Sequence, residues 1–267
     1  LVQDSPTTRL KAAMLLASPV EKSGLPLFRE VLAQNSTPLT ERAMAVAALA
    51  ESGELVDLPN LAAHLATEQP PVVRIAAASA ILKITSRAPE LGRKLDLRWA
   101  RAGMSDSNWM ARHSAVPLLD ASAETEATEL LSQALQDEKV QVRTRVIQVI
   151  SRSSSKDALK LLESALKNEN AAVREAALRA VVQVTRSAYL QGGSSASSVQ
   201  KWLRGLAKSD DETQRAAAQA GRLHLGEDDQ WAELKKLKLS ADPVLRGLVA
   251  YAATSDRELI AQLLTDT

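Results

Sequence analysis

Eight arginines recur along the chain at nearly constant spacing, each followed by alanine and aliphatic residues: Arg9, Arg42, Arg74, Arg112, Arg143, Arg174, Arg215 and Arg246. The steps between them are 33, 32, 38, 31, 31, 41 and 31 residues. Self-similarity at such a period marks a stack of supersecondary units, because no single unit can bury its apolar face alone. The arginine spacing therefore predicts one elongated array over residues 1–267 rather than a pair of globular domains. Arrays of this kind mostly offer extended surfaces rather than catalytic pockets.

The columns around each arginine define the unit. Three residues on stand Ala12, Ala45, Ala77, Ala115, Val146, Ala177, Ala218 and Val249. Six residues on stand Leu15, Ala48, Ala80, Leu118, Val149, Ala180, Gly221 and Ala252. Offsets of three and six lie near one face of a helix, so small residues there predict a second helix, B, packed closely on its neighbours. A first helix, A, precedes it with larger apolar residues, such as Leu159, Leu162 and Leu166 or Leu131 and Leu135. Polar turns such as QDEK (136–139), KNEN (167–170) and KSDD (208–211) join A to B. Pro38, Pro70, Pro71 and Pro243 stand just ahead of B helices, where proline is tolerated.

Six residues before each arginine is a hydrogen-bonding residue: Gln3, Ser36, Glu68, Asp106, Asp137, Asn168, Ser209 and Ser240. The pattern predicts a structural ladder in which each arginine (Arg42, Arg74, Arg112, Arg143, Arg174, Arg215, Arg246) bonds an acceptor in its own or an adjacent turn, with Asp106, Asp137 and Asn168 among the acceptors. The competing use of the same arginines is an electropositive binding row.

A polar turn residue followed by V-R-x-x-A-x-x-A resembles the HEAT-repeat family. The segments DEKVQVRTRVIQVI (137–150), NENAAVREAALRAVV (168–182) and PPVVRIAAASAIL (70–82) carry the resemblance most clearly. The period of about 31 is similar to the short, phycobilisome-lyase-type HEAT-like units rather than to the longer unit of about 40–47 residues. The resemblance implies an all-α, right-handed α-α superhelix of about eight helical pairs, with the B helices lining the concave side. It is specific for fold and weak for function. Ankyrin (T-P-L-H-x-A) and tetratricopeptide signatures are lacking.

Two steps are longer than the rest. The 38-residue step holds an extra segment near 87–103, and the 41-residue step holds SAYLQGGSSASS (187–198), whose glycines and serines predict a flexible loop. Pro117 predicts a bend in its B helix. The last segment, from 257, predicts an A helix without its partner. The start at Leu1 fits a processed or excised chain.

Few features point to chemistry. The only histidines, His64, His113 and His224, show no i, i+4 pairing and no H-E-x-x-H motif, and nucleotide and nucleophile-elbow motifs are lacking. No metal or cofactor is expected. The acids at 210–212 and 227–229 stand where helices begin, which predicts capping. Trp99, Trp109, Trp202 and Trp231 invite comparison with HEAT-like DNA glycosylases, but Trp202 and Trp231 have core-like spacing and the ladder accounts for Asp106. With Lys+Arg 33 against Asp+Glu 32 the chain lacks the basic excess of a dedicated nucleic-acid binder. No apolar run reaches the roughly 18 residues of a membrane span. Absence of cysteine is compatible with an exported or periplasmic compartment without requiring one.

The B-helix positions not used for packing are the first, second and fifth after each arginine. In the middle repeats these include His113, Arg145, Gln148, Glu175 and Arg179, with Arg152 one turn beyond Gln148. The segment 141–152 has three arginines and no acid, a candidate patch for an acidic peptide. The expected function is a non-catalytic protein-interaction scaffold, adaptor or regulatory domain binding its partner along the B helices. The alternatives are a chromophore-lyase-like enzyme subunit and a binder of nucleic-acid backbone.

Overall fold

The computed structural model describes residues 6–16, 22–34, 36–87, 97–119, 125–227 and 230–253. Among these every regular element is helical. The chain divides into two compact units, Leu1–Leu119 and Asp120–Thr267.

The first unit contains α1 (Pro6–Leu16), α2 (Leu25–Ala33), α3 (Leu39–Ser52), α4 (Leu58–Ala63), α5 (Pro71–Ser86), α6 (Leu97–Met104) and α7 (Trp109–Ala115). Helices α1, α3, α5 and α7 are the B helices and pack in sequence against one another. Helices α2, α4 and α6 are the A helices, each packed on the B helix that follows it. The second unit contains α8 (Thr125–Ala134), α9 (Val140–Ile150), α10 (Lys156–Leu166), α11 (Ala171–Gln191), α12 (Gly193–Leu206), α13 (Glu212–Leu223), α14 (Gln230–Lys236) and α15 (Pro243–Ala253). Here α9, α11, α13 and α15 are the B helices. The segment from 257 lies outside the described residues.

The predicted packing columns form the core. Ala45, Ala77, Ala115, Val146, Ala177 and Ala218 are all fully buried, with Val249 at 1 % exposure. Short side chains here let the helix backbones approach. The column fails only in α1, where Leu10 and Ala13 are buried and Ala12 is exposed, so that helix is rotated relative to the arginine alignment. Gly221 shows the same requirement, since a Cβ there would lie 2.8 Å from a Leu203 methyl.

The arginine ladder has a repeating geometry. The guanidiniums of Arg112, Arg143, Arg174, Arg215 and Arg246 each donate to the main-chain carbonyl six residues back, at 2.8, 2.8, 3.0, 2.9 and 2.6 Å. The side chain of that same residue instead accepts the backbone N–H two residues on, at 2.8–3.2 Å, from Asp106, Asp137, Asn168, Ser209 and Ser240. The polar residue thus shapes the turn into the B helix, and the arginine satisfies the carbonyl the turn leaves behind. Arg42 departs from the pattern and donates to Thr37 O at 3.0 Å. Arg74 reaches into the next repeat as well: its Nε and Nη2 form a buried bidentate pair with Asp106.

Both proline and insertion expectations need correction. Pro117 does not bend its helix but ends it: α7 stops at Ala115 and a 3-10 turn covers Val116–Leu118. Helix α7 is only 7 residues long, so the missing N–H falls at its end rather than its middle. The segment 187–198 is not a loop. Helix α11 runs on to Gln191, giving 21 residues, and α12 starts at Gly193. Ser187–Gln191 simply continues the helix, and the break falls at Gly192, whose φ of +66° favours glycine. Of the other insertion, residues 88–96 lie outside the described residues. Its first residue, Arg87, closes the end of α3 by donating to Ala50 O, Glu51 O and Gly53 O at 2.9–3.0 Å.

Candidate functional site

Within the second unit the B helices depart from neighbour-only stacking. Helix α15 packs on α13 and also on α11, two pairs away. The intervening α13 carries Ala216, Ala217, Ala218, Ala220 and Gly221, all buried, and such short side chains leave its neighbours close together. Arg174 on α11 pairs with Asp242 at the start of α15 at 3.2 Å. One and a half turns along, the Arg179 guanidinium stands over the Tyr251 ring, 5.6 Å from its centroid.

This arrangement closes a trough of about 400 Å³ between α9 and α11, with Tyr251 at its end. Its apolar floor comes from Ile147, Ala172, Ala176 and Ala180, and its polar lining from Gln148, Ser151, Glu175, Arg179 and Gln183. Arg179 is tied to Glu175 one turn back, so this wall carries no net charge. The opposite wall differs. On its α9 side, Arg145, just outside the lining, donates to the lining Gln148 through its Oε1 at 2.8 Å. The Arg145 Nε is buried and has no hydrogen-bond partner among the described residues. Burial lowers the Arg145 pKa and the positive charge of Arg152 lowers it further. Neither Arg145 nor Arg152 forms an ion pair with any described acid.

Of the five residues expected to form a binding face, Gln148 and Arg179 line this trough, while Arg145 and Arg152 stand on α9 and just beyond its end without lining it. His113 lies in the first unit, on α7, edge-on to Trp109 with ring centroids 6.4 Å apart. Tyr251 was legible in the pattern, since it is the fifth residue after Arg246, the column that also holds Gln148 and Arg179. Its meeting with Arg179 was not, because neighbour-only stacking puts those repeats apart.

The other sequence candidates take structural places. Asp211 caps α13 by accepting from the Gln214 N–H at 2.8 Å. Glu227 pairs with Arg222, while Asp228 and Asp229 lie outside the described residues. His64 is buried at the end of α4, its Nδ1 2.8 Å from Asn60 O. Trp231 is buried, whereas Trp99, Trp109 and Trp202 are half-buried. Among the described residues no group of three or more His, Asp or Glu side chains is placed to hold a metal ion. No helix among them is long and apolar enough to cross a membrane.

The family model for HEAT repeats matches residues 1–81 and 97–182. The chain belongs to the HEAT-repeat family. The unmatched gap at 82–96 falls on the longer 38-residue step. Among solved structures, Escherichia coli YibA is similar at 12% identity and a TM-score of 0.51, covering 93% of this chain and 95% of that one. At that identity the likeness shows the fold alone. Human deoxyhypusine hydroxylase in complex with glycerol is 19% identical over 84% of this chain and 81% of that one, with a TM-score of 0.36. An engineered protein is 18% identical over 98% and 78%, with a TM-score of 0.45. At those two scores nothing about site or chemistry transfers to this HEAT-repeat chain. No curated protein matches it.

Proposed function

We propose that this HEAT-repeat protein is a non-catalytic adaptor that binds an acidic segment of a partner protein in the α9–α11 trough. One observation supports this above others. Beside the trough, α9 and the turn that follows it carry Arg145 and Arg152, two cations that form no ion pair with a described acid, and the trough itself has an apolar floor. Charged groups of one sign left together without a counterion gain most from a partner that supplies it. The opposite wall is neutralised by its own Glu175–Arg179 pair and holds shape rather than charge. The floor of alanines and Ile147 offers shallow contact suited to an extended chain, with Gln148 and Gln183 in reach of its main chain.

The test is a pull-down with the full chain at low and moderate salt, comparing wild type with Arg145→Glu/Arg152→Glu and with Lys160→Glu on α10. A protein captured by wild type and by Lys160→Glu but lost from the double variant is the expected result. Retention of every captured protein by the double variant would remove the trough from the proposal. Capture of nucleic acid alone, falling steeply with salt, would replace a protein partner by nucleic-acid backbone.

A further inference from the structure

Helix α11 outruns its neighbours. It continues 17 residues from Arg174 to Gln191, against 7 from Arg143 to Ile150 in α9 and 8 from Arg215 to Leu223 in α13. The excess corresponds to about 14 Å of helix. Helix α12 turns back along it after the single residue Gly192 and packs on it. Ala188 and Val199 are buried, so this two-helix arm is a packed element rather than a frayed end. Its outer face is unlike the rest of the chain. Arg186, Tyr189 and Leu190 stand at i, i+3 and i+4, all exposed, and so share one face of α11. A lone exposed leucine is ordinary. Here Leu190 at 84 % exposure and Tyr189 at 60 % stand side by side in the last turn of a projecting arm. Residues 176–209 hold five basic side chains and no acid, although the whole chain has 33 basic residues against 32 acidic. Arg179 is neutralised by Glu175, but Lys201 and Arg204 on α12 are exposed and pair with no described acid.

These groups are ordered by depth. Counted along the helices from Gly192, the apolar pair lies within the first turn, Arg186 about 9 Å back on α11, and Lys201 and Arg204 about 14 Å and about 18 Å back on α12. Between the tip and Lys201, α12 carries only glycine, serine, alanine, valine and glutamine. An apolar tip, then neutral polar groups, then cations on both helices matches what an anionic lipid surface presents from its acyl boundary outward. A nucleic acid would engage the cations but leave Leu190 in water. We infer that the α11–α12 arm is a docking tip for an anionic lipid bilayer. Tyr189 and Leu190 enter the boundary between headgroups and acyl chains, and Arg186, Lys201 and Arg204 face the lipid phosphates. A tyrosine suits that depth, with an apolar ring and a polar hydroxyl. Neither the apolar pair nor the cations suffice alone, so attachment is reversible and needs both. The arm is distinct from the trough, and its docking does not depend on the partner proposed there.

Sedimentation of the full chain with large vesicles tests this, using phosphatidylcholine alone and an equal mixture of phosphatidylcholine and phosphatidylglycerol. Binding to the mixed vesicles only, weakening as salt rises, is expected. Lys201→Gln should weaken it about fivefold, and Leu190→Ser about tenfold or more. Lys167→Gln removes the same charge at the other end of α11, just before its first turn, and should leave binding unchanged. All three positions are exposed, so melting temperatures should not move. The chain holds no cysteine, so Leu190→Cys and Lys167→Cys each carry one thiol for an environment-sensitive dye. On mixed vesicles the dye at 190 should report an apolar surrounding and the dye at 167 should not. No sedimentation with mixed vesicles, equal binding to both vesicle types, or equal losses from Lys201→Gln and Lys167→Gln would each overturn the docking tip. So would a dye at 190 that stays in water. If Leu190→Ser kept vesicle binding but lost a protein captured by the wild type, the arm would belong to a protein partner instead.

Discussion

Replacing Arg74 by methionine should unlock one repeat from the next. Its guanidinium holds Asp106 in a bidentate pair with side-chain exposures of 7 % and 1 %, and donates in addition to Thr67 O at 3.2 Å. Removing it leaves the Asp106 carboxylate buried, with only the Asn108 N–H at 2.8 Å among its described donors. Breaking a buried pair from one side costs about 3–5 kcal/mol, because the surviving charge is uncompensated. The comparison is Arg179→Met, which removes an exposed pair worth less than about 1 kcal/mol and a cation–π contact of about 0.5–1 kcal/mol. The two variants should differ by at least about 1 kcal/mol, or roughly fivefold in a local opening constant. Because the chain forms two compact units, a single melting curve need not report one transition. Amide hydrogen exchange resolved to peptides of α5 and α7 is the suitable assay. Arg74→Met should lose protection there, and Arg74→Met/Asp106→Leu should regain part of it, since no charge is then left buried. Equal protection losses for Arg74→Met and Arg179→Met would refute the reasoning. So would a double variant that loses more than the single one.

Three other outcomes follow from named contacts. Ala177→Glu puts a carboxylate into a fully buried column and should cost about 3 kcal/mol or more, far above Arg145→Glu; thermal melts that shift equally would contradict the helix faces. Gly221→Val would drive its Cβ to 2.8 Å from Leu203 and 3.1 Å from Thr185 Oγ1. A loss of about 1–3 kcal/mol is expected, partly restored by Leu203→Ala, and chemical denaturation of the three variants decides it. Burial and then Arg186 depress the His224 pKa below its usual 6.5 in the fold. Stability from this group is therefore complete above pH 6.5, where both states are neutral, and is lost as pH falls toward the folded-state value. Melting between pH 7.5 and pH 5 should show this decline, and His224→Gln should flatten it.

Repeat count, helix faces and the ladder positions were legible because stacking is local. An arginine every 31–41 residues, with small residues three and six places on, states which face each B helix must bury, whatever its neighbour. The polar residue six places earlier was equally visible. Its division of labour was not: side chain to the turn, carbonyl to the arginine. Serine, aspartate and asparagine share that geometry, and residue type does not reveal which oxygen is used. The 187–198 segment is helical against its composition because serine and glycine content records a preference, while continuous helix through Tyr189 depends on the main chain's hydrogen bonds.

The sequence by itself determined an all-α array of helical pairs, since small residues at offsets of three and six state a buried face for each B helix, and the V-R-x-x-A-x-x-A segments carried the resemblance to HEAT repeats. It also placed Arg145, Gln148 and Arg179 on B-helix positions left free by packing, with Arg152 one turn beyond Gln148. Only the tertiary structure decided that two of these, Gln148 and Arg179, line a trough rather than an open face. That depended on the bulk of α13: its alanines and Gly221 bring α15 against α11, and Tyr251 over Arg179, across an intervening pair. Distances between second neighbours sum the small offsets of every packed side chain between them, and a repeat pattern specifies each contact without specifying that sum.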